Sequence, residues 1–150
     1  MHRSILSMLF TVAVASLYGG SPIHWSFATK EGVNGQNYLA LRAVCDEGWH
    51  FYALTLPRED GPLPTMITVA PSPLFTSGTI IEPHAIEVED PNFQMLVRYH
   101  GHDAEFLVPI ERLGKDAFNV TGNVMYMCCN DKTCLPPVTV EFSVPFPAVK

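Results

Sequence analysis

The chain has 150 residues, with 9 Lys and Arg against 15 Asp and Glu and a formal net charge of −6. No basic run or patch is present, which argues against nucleic acid and anionic membrane surfaces as partners. Apolar residues make up 47% and charged ones 16%, a composition that folds around a core rather than staying disordered.

In chain order, the first twenty residues come first. His2 and Arg3 precede a largely apolar run from Ile5 to Leu17, and Ala13-Val14-Ala15 fits a small-x-small cleavage site. The run is too short for a membrane span and lacks a charged far flank, so it reads as a secretory signal peptide. The expected organisation is a signal peptide over 1–20 and one soluble domain over 21–150 without a direct membrane anchor. Export to the periplasm or another extracytoplasmic space makes persistent disulfides the expected use of cysteine.

Beyond residue 20, short stretches of period-two patterning predict strands. Leu39, Leu41, Ala43 and Cys45 alternate with Tyr38, Ala40, Arg42 and Val44. Trp49, Phe51 and Ala53 alternate with His50, Tyr52 and Leu54. Further sets run over Phe93–Tyr99, Phe106–Ile110 and Val138–Phe146, with a short strand at Met66–Val69 inside the irregular crossover Pro57–Pro73. Asp46-Glu47-Gly48, Asp60-Gly61-Pro62, His100-Gly101-His102 and Thr121-Gly122-Asn123 mark turns. Seven to nine short strands without helices predict an all-β, antiparallel two-sheet sandwich. Trp25 and Trp49 are expected in or beside its core.

The four cysteines are Cys45, Cys128, Cys129 and Cys134. Four residues separate Cys129 from Cys134, a loop that can turn back and bring two sulfurs together. Neighbours on a strand point to opposite faces, so Cys128 and Cys129 part company, one to the interior and one to an exposed loop side. Cys45, on the apolar face of its strand, is expected to be buried. The simplest pairing joins Cys129 with Cys134 and leaves Cys45 and Cys128 as a second, structural bridge or as two inert thiols; four cysteines allow three connectivities. From spacing alone the small loop serves equally as a structural clip. A metal centre is not expected: no histidine follows Cys128, as a blue-copper site requires, and zinc favours tighter cysteine pairs. No cofactor is implied.

Tyr126-x-x-Cys129, four residues, then Cys134-x-Pro136-Pro137 resembles the N-terminal periplasmic domain of the thiol:disulfide interchange protein DsbD family. Gly48-Trp49-His50-Phe51-Tyr52, Gly61-Pro62, Pro64-Thr65, Gly78 and Glu82-Pro83 fit the same family in order, so the resemblance spans about residues 23–146. It implies an immunoglobulin-like sandwich and a reversible disulfide. It also implies transfer of reducing equivalents from a membrane-embedded thiol reductant, on another polypeptide, to thioredoxin-like or other disulfide-bearing exported proteins. Carried over by position, Cys134 forms the mixed disulfide and Cys129 resolves it. His50, Tyr52, Tyr126, Asp131 and Glu82 are expected near the pair. The family's cap over the sulfurs falls somewhere in Glu82–Val88, a segment with no aromatic residue. Two other readings accompany this one: a non-catalytic immunoglobulin-like interaction module with a structural disulfide, and, more distantly, a copper-handling protein.

Overall fold

A computed structural model describes residues 20–150; the expected signal peptide lies outside the described residues but for Gly20. Eleven strands follow one another: β1 (Ile23–Glu31), β2 (Asn37–Cys45), β3 (His50–Tyr52), β4 (Met66–Val69), β5 (Phe75–Ser77), β6 (Ile86–Asp90), β7 (Met95–His100), β8 (Ala104–Arg112), β9 (Phe118–Tyr126), β10 (Cys128–Cys129) and β11 (Val138–Phe146). A single 3-10 turn, Val33–Gly35, links β1 to β2.

All pairings are antiparallel, and the hydrogen-bond ladders divide the strands into three sheets rather than the two expected. The first has the order β1-β2-β8-β5, the second β10-β3-β7-β6 and the third β11-β9-β4. One core joins them. Leu39, Leu41, Phe106 and Val108 of the first sheet pack with Phe51 and Cys128 of the second and with Val120, Val124, Phe142 and Val144 of the third. Alternation drives this arrangement: every second residue of β8, from Ala104 to Ile110, is buried while the intervening ones are only partly so.

Several turn expectations hold. The chain reverses at Glu47-Gly48, where Gly48 has φ 81° and Trp49 N–H donates to the Asp46 carbonyl at 3.0 Å. Gly122 differs. It lies in the middle of β9, paired with Phe142 on one side and Val69 on the other, and makes no turn. A Cβ there would sit 2.0 Å from the Thr68 carbonyl oxygen and 2.6 Å from the Phe142 ring. The glycine is needed because a neighbouring backbone passes close, not because the chain bends.

The second sheet positions the cysteines. Across it, Cys128, Phe51 and His100 form one cross-strand row. Phe51 and Cys128 belong to the main core, and the His100 ring packs tilted against Phe51 and edge-on to Phe106. On the opposite face, Cys129 lies across from His50 and Tyr52 across from Tyr99. That face builds a second, smaller apolar cluster: Tyr52, Met95, Val97 and Cys129 are buried, with Leu56, Phe93, Met127 and Cys134 packed against them.

Candidate functional site: a covered disulfide on the outer face of the second sheet

Cys129 and Cys134 are joined by a disulfide. The loop between them is shaped by Asn130, whose side-chain oxygen accepts from the backbone N–H groups of Lys132 and Thr133, each at 2.9 Å. This is an Asx turn, in which a short polar side chain imitates the backbone. Asp131, next in the same turn, is exposed and borders a cleft of about 230 Å³ beside His50. Leu135 N–H donates to the Cys128 carbonyl at 2.9 Å and returns the chain to the sheet.

The two sulfurs differ in access. Cys129 has 0% of its surface exposed, whereas Cys134 is half-buried. Over the pair lies the β6–β7 turn, Asp90 to Gln94. The Asp90 Oδ1 accepts from the N–H groups of Asn92 (2.8 Å) and Phe93 (3.2 Å), and Gln94 N–H donates to the Asp90 carbonyl at 2.7 Å. Gln94 closes the turn in the left-handed region, φ 53°. The turn is tied to the cysteine loop by Asn92 Nδ2, which donates to the Asn130 carbonyl at 2.9 Å. Phe93 meets Tyr52 edge to face at 6.1 Å and belongs to the cluster around the sulfurs.

Beneath this cover the polar groups form a chain. The Tyr52 hydroxyl lies 2.7 Å from Asp90 Oδ2 and 3.2 Å from Cys129 Sγ. A phenol has one proton to give. Against a disulfide sulfur the carboxylate is the stronger acceptor, so the proton points to Asp90. Burial first, then the hydrogen bond to Asp90 and its charge, push the Tyr52 hydroxyl well above the usual phenol range. Tyr52 therefore stays protonated. His50 sits in the same layer with its ring 5.4 Å from Tyr52. Burial pushes its pKa below the ordinary 6.5, opposed in part by Asp90 and Asp131.

Of the residues expected near the pair, the structure brings His50, Tyr52 and Asp131 to this face. Two others lie elsewhere. The Tyr126 ring points into the main core, 5.8 Å from Trp25, and its hydroxyl bonds Ser21 Oγ at 2.7 Å. Its place follows from strand alternation: three residues before Cys129 puts it on the other face. Glu82 accepts from Leu54 N–H at 2.9 Å and bonds His100 Nε2 at 3.0 Å, behind the sheet. His100 is thus a buried residue at the end of β7 rather than a turn residue.

Cys45 and Cys128 are both free thiols, so no second bridge is made. Cys45 is half-buried rather than buried, with its thiol donating to the His100 carbonyl at 3.5 Å. Burial pushes its pKa up to about 12 and raises that of Cys128 as well. Cys128 and Cys129 do face opposite ways, yet neither reaches an exposed loop side: both are buried, in different clusters. Among the described residues, no three His, Cys, Asp or Glu side chains converge as a metal site requires.

Sequence reasoning missed Asp90, Asn92, Phe93 and Asn130. The signal was present: Asp90-Pro91-Asn92 is turn chemistry followed directly by an aromatic residue. The cover therefore does carry an aromatic, and it lies just beyond the segment Glu82–Val88 where one was sought.

Fold and site together define an immunoglobulin-like β-sandwich carrying a disulfide shielded by an aromatic turn. A family model for the N-terminal region of the thiol:disulfide interchange protein DsbD matches residues 24–145, and the chain belongs to that family. The reduced DsbD N-terminal domain of Neisseria meningitidis is similar with a TM-score of 0.52 and 21% identity, over 81% of this chain and 86% of that one. A structure of the complex between the DsbD N-terminal and PilB N-terminal domains from the same organism gives a TM-score of 0.56 and 17% identity, covering 81% and 80%. The N-terminal periplasmic domain of ScsB from Proteus mirabilis gives 0.53 and 14%; 84% of this chain spans 47% of that one. No curated protein matches the chain.

Proposed function

We propose that the chain is an exported, periplasmic thiol–disulfide carrier that passes reducing equivalents from a membrane-embedded thiol reductant to thioredoxin-like or other disulfide-bearing proteins. The observation that carries this reading is the Tyr52 hydroxyl set between the Cys129 sulfur and the buried Asp90 carboxylate. Asp90 caps the β6–β7 turn through Oδ1, which leaves Oδ2 to the Tyr52 hydroxyl that faces the sulfur.

In the reduced protein, the Cys134 thiolate attacks a sulfur of the recipient's disulfide. One recipient sulfur leaves as thiolate and a mixed disulfide forms. Cys134 takes this role because it is the more accessible of the pair and lies before Pro136-Pro137, where the ladder cannot continue. Cys129 then loses its thiol proton through the Tyr52 hydroxyl to the Asp90 carboxylate and attacks Cys134 Sγ. The second recipient sulfur departs and the Cys129–Cys134 disulfide returns. Two thiols here are oxidised, one disulfide there is reduced, and two protons follow the electrons. Phe93 keeps small thiols away from the sulfurs until a partner displaces the turn.

The test is trapping. Cys129→Ser accumulates mixed disulfides through Cys134, and Cys134→Ser accumulates far fewer. If neither variant captures a partner in the exporting cell, the carrier reading fails and the structural-clip reading takes its place.

A further inference from the structure

His50 Nε2 is a buried polar atom without a hydrogen-bond partner. Such atoms are uncommon in folded proteins and costly, so this one calls for a reason. The residue is 8% exposed, lies directly across the ladder from Cys129, and has Nε2 3.7 Å from Asp90 Oδ2. That gap is too long for a hydrogen bond, but a ring movement of about 1 Å would close it. The groups around the ring are few. Tyr52 comes from its own strand, Tyr99 from β7 with its ring at 4.5 Å, and Asp90 from the end of β6. Asp131 on the cysteine loop and His102 line the cleft beside it.

The same Asp90 oxygen, Oδ2, accepts from Tyr52 and faces His50. We infer that His50 is a positioning residue for the exchange reaction, holding the Asp90 carboxylate free when neutral and tying it up as an ion pair when charged. This rests on the carrier reading above. With a neutral imidazole, the Cys129 thiol proton passes through the Tyr52 hydroxyl to Asp90. With an imidazolium, the ring swings onto Oδ2 and forms a charge-assisted hydrogen bond, the carboxylate ceases to accept, and Cys129 remains a thiol. No electron moves in this step; only the destination of one proton changes. The neutral ring is the resting form because burial outweighs the two acids that face it. The consequence is a carrier whose resolving step is level in pH while His50 is neutral and shuts off in acid once it is charged.

The experiment times the attack of Cys129 on a mixed disulfide between Cys134 and a coloured aryl thiol, followed from pH 8 to pH 5. While His50 is neutral the thiol proton stays within the protein on Asp90 and the rate is nearly level; once His50 is charged the rate falls about tenfold per pH unit. His50→Gln removes that break in the profile. The shape of the profile is the readout, not its height, because a merely packed histidine would move only the height. A second measurement follows the His50 ring protons by NMR. Their titration lies below pH 6.5 in the wild type and moves lower still in Asp90→Asn, where the carboxylate's attraction is gone. If His50→Gln reproduces the wild-type profile, or the ring titrates alike with and without Asp90, this inference is overturned while the carrier reading stands. A chain that exchanges no disulfide at any pH overturns both.

Discussion

Cys128 and Cys129 are neighbours in sequence with the same side chain and nearly the same burial, yet they occupy different chemical worlds. Cys128 points into the main core among apolar side chains, where burial raises its pKa. Cys129 points to the other face, bonded to Cys134, with a phenol 3.2 Å from its sulfur and a carboxylate one step beyond. The step of one residue along a strand is enough, because the pleat reverses side-chain direction. Burial alone therefore does not make a sulfur inert. What separates the two is a polar relay and a cover held by a turn rather than by a second sheet.

The largest way to break this comparison is to exchange the two residues' fates. Cys129→Ser abolishes completed exchange, whereas Cys128→Ala leaves turnover in place and costs about 1 kcal/mol of stability; turnover with a disulfide substrate and a denaturant melt read the two effects. Cutting the relay comes next. Tyr52→Phe keeps the ring and its contact with Phe93 but removes the hydroxyl, and slows the resolving step about a hundredfold, as loss of a proton-transfer group does. Stopped-flow timing of Cys129's attack measures it. Removing the cover has a smaller effect of opposite sign: Phe93→Ala speeds reduction of the bridge by a small dithiol about tenfold, equivalent to about 1.4 kcal/mol of shielding.

The smallest effect is a pH dependence of folding. His50 has its folded pKa below the ordinary 6.5, so the unfolded chain binds the proton more readily. The associated stability is present above about pH 6.5 and is lost as pH falls through the depressed folded value. His50→Gln flattens that part of the curve in equilibrium melts. A slope of the opposite sign would place the histidine in a stabilising ion pair already.

Much of the fold was legible because its strands are amphipathic in the simplest way. β8 buries every second residue from Ala104 to Ile110, β11 does so from Phe142 to Phe146, and β2 buries Leu39, Leu41 and Ala43 on one face; that is a signal a sequence carries by itself. β6 was passed over although Ile86 and Val88 alternate with Glu87 and Glu89; all four are exposed at the edge of a sheet, so the alternation there marks no core face. Without β6 the following turn had no anchor, and so the cover was sought a few residues too early. Gly122 misled for a related reason: a glycine demanded by a close backbone reads the same as one demanded by a turn. The two cysteines of the site were legible from spacing and motif. Asp90 was not, because its role depends on a cross-sheet approach to Tyr52 that no local pattern encodes. Tyr126 shows the converse: it belongs to the motif in sequence, yet it serves the main core.

The central claim is that the Cys129–Cys134 bridge is made to be opened. Its reduction potential, measured by equilibration against a thiol–disulfide buffer of known poise, tests this most directly. The account predicts a value well above about −300 mV, in the range of exchanging disulfides. A value at or below that level would mark the bridge as a permanent clip and contradict the account.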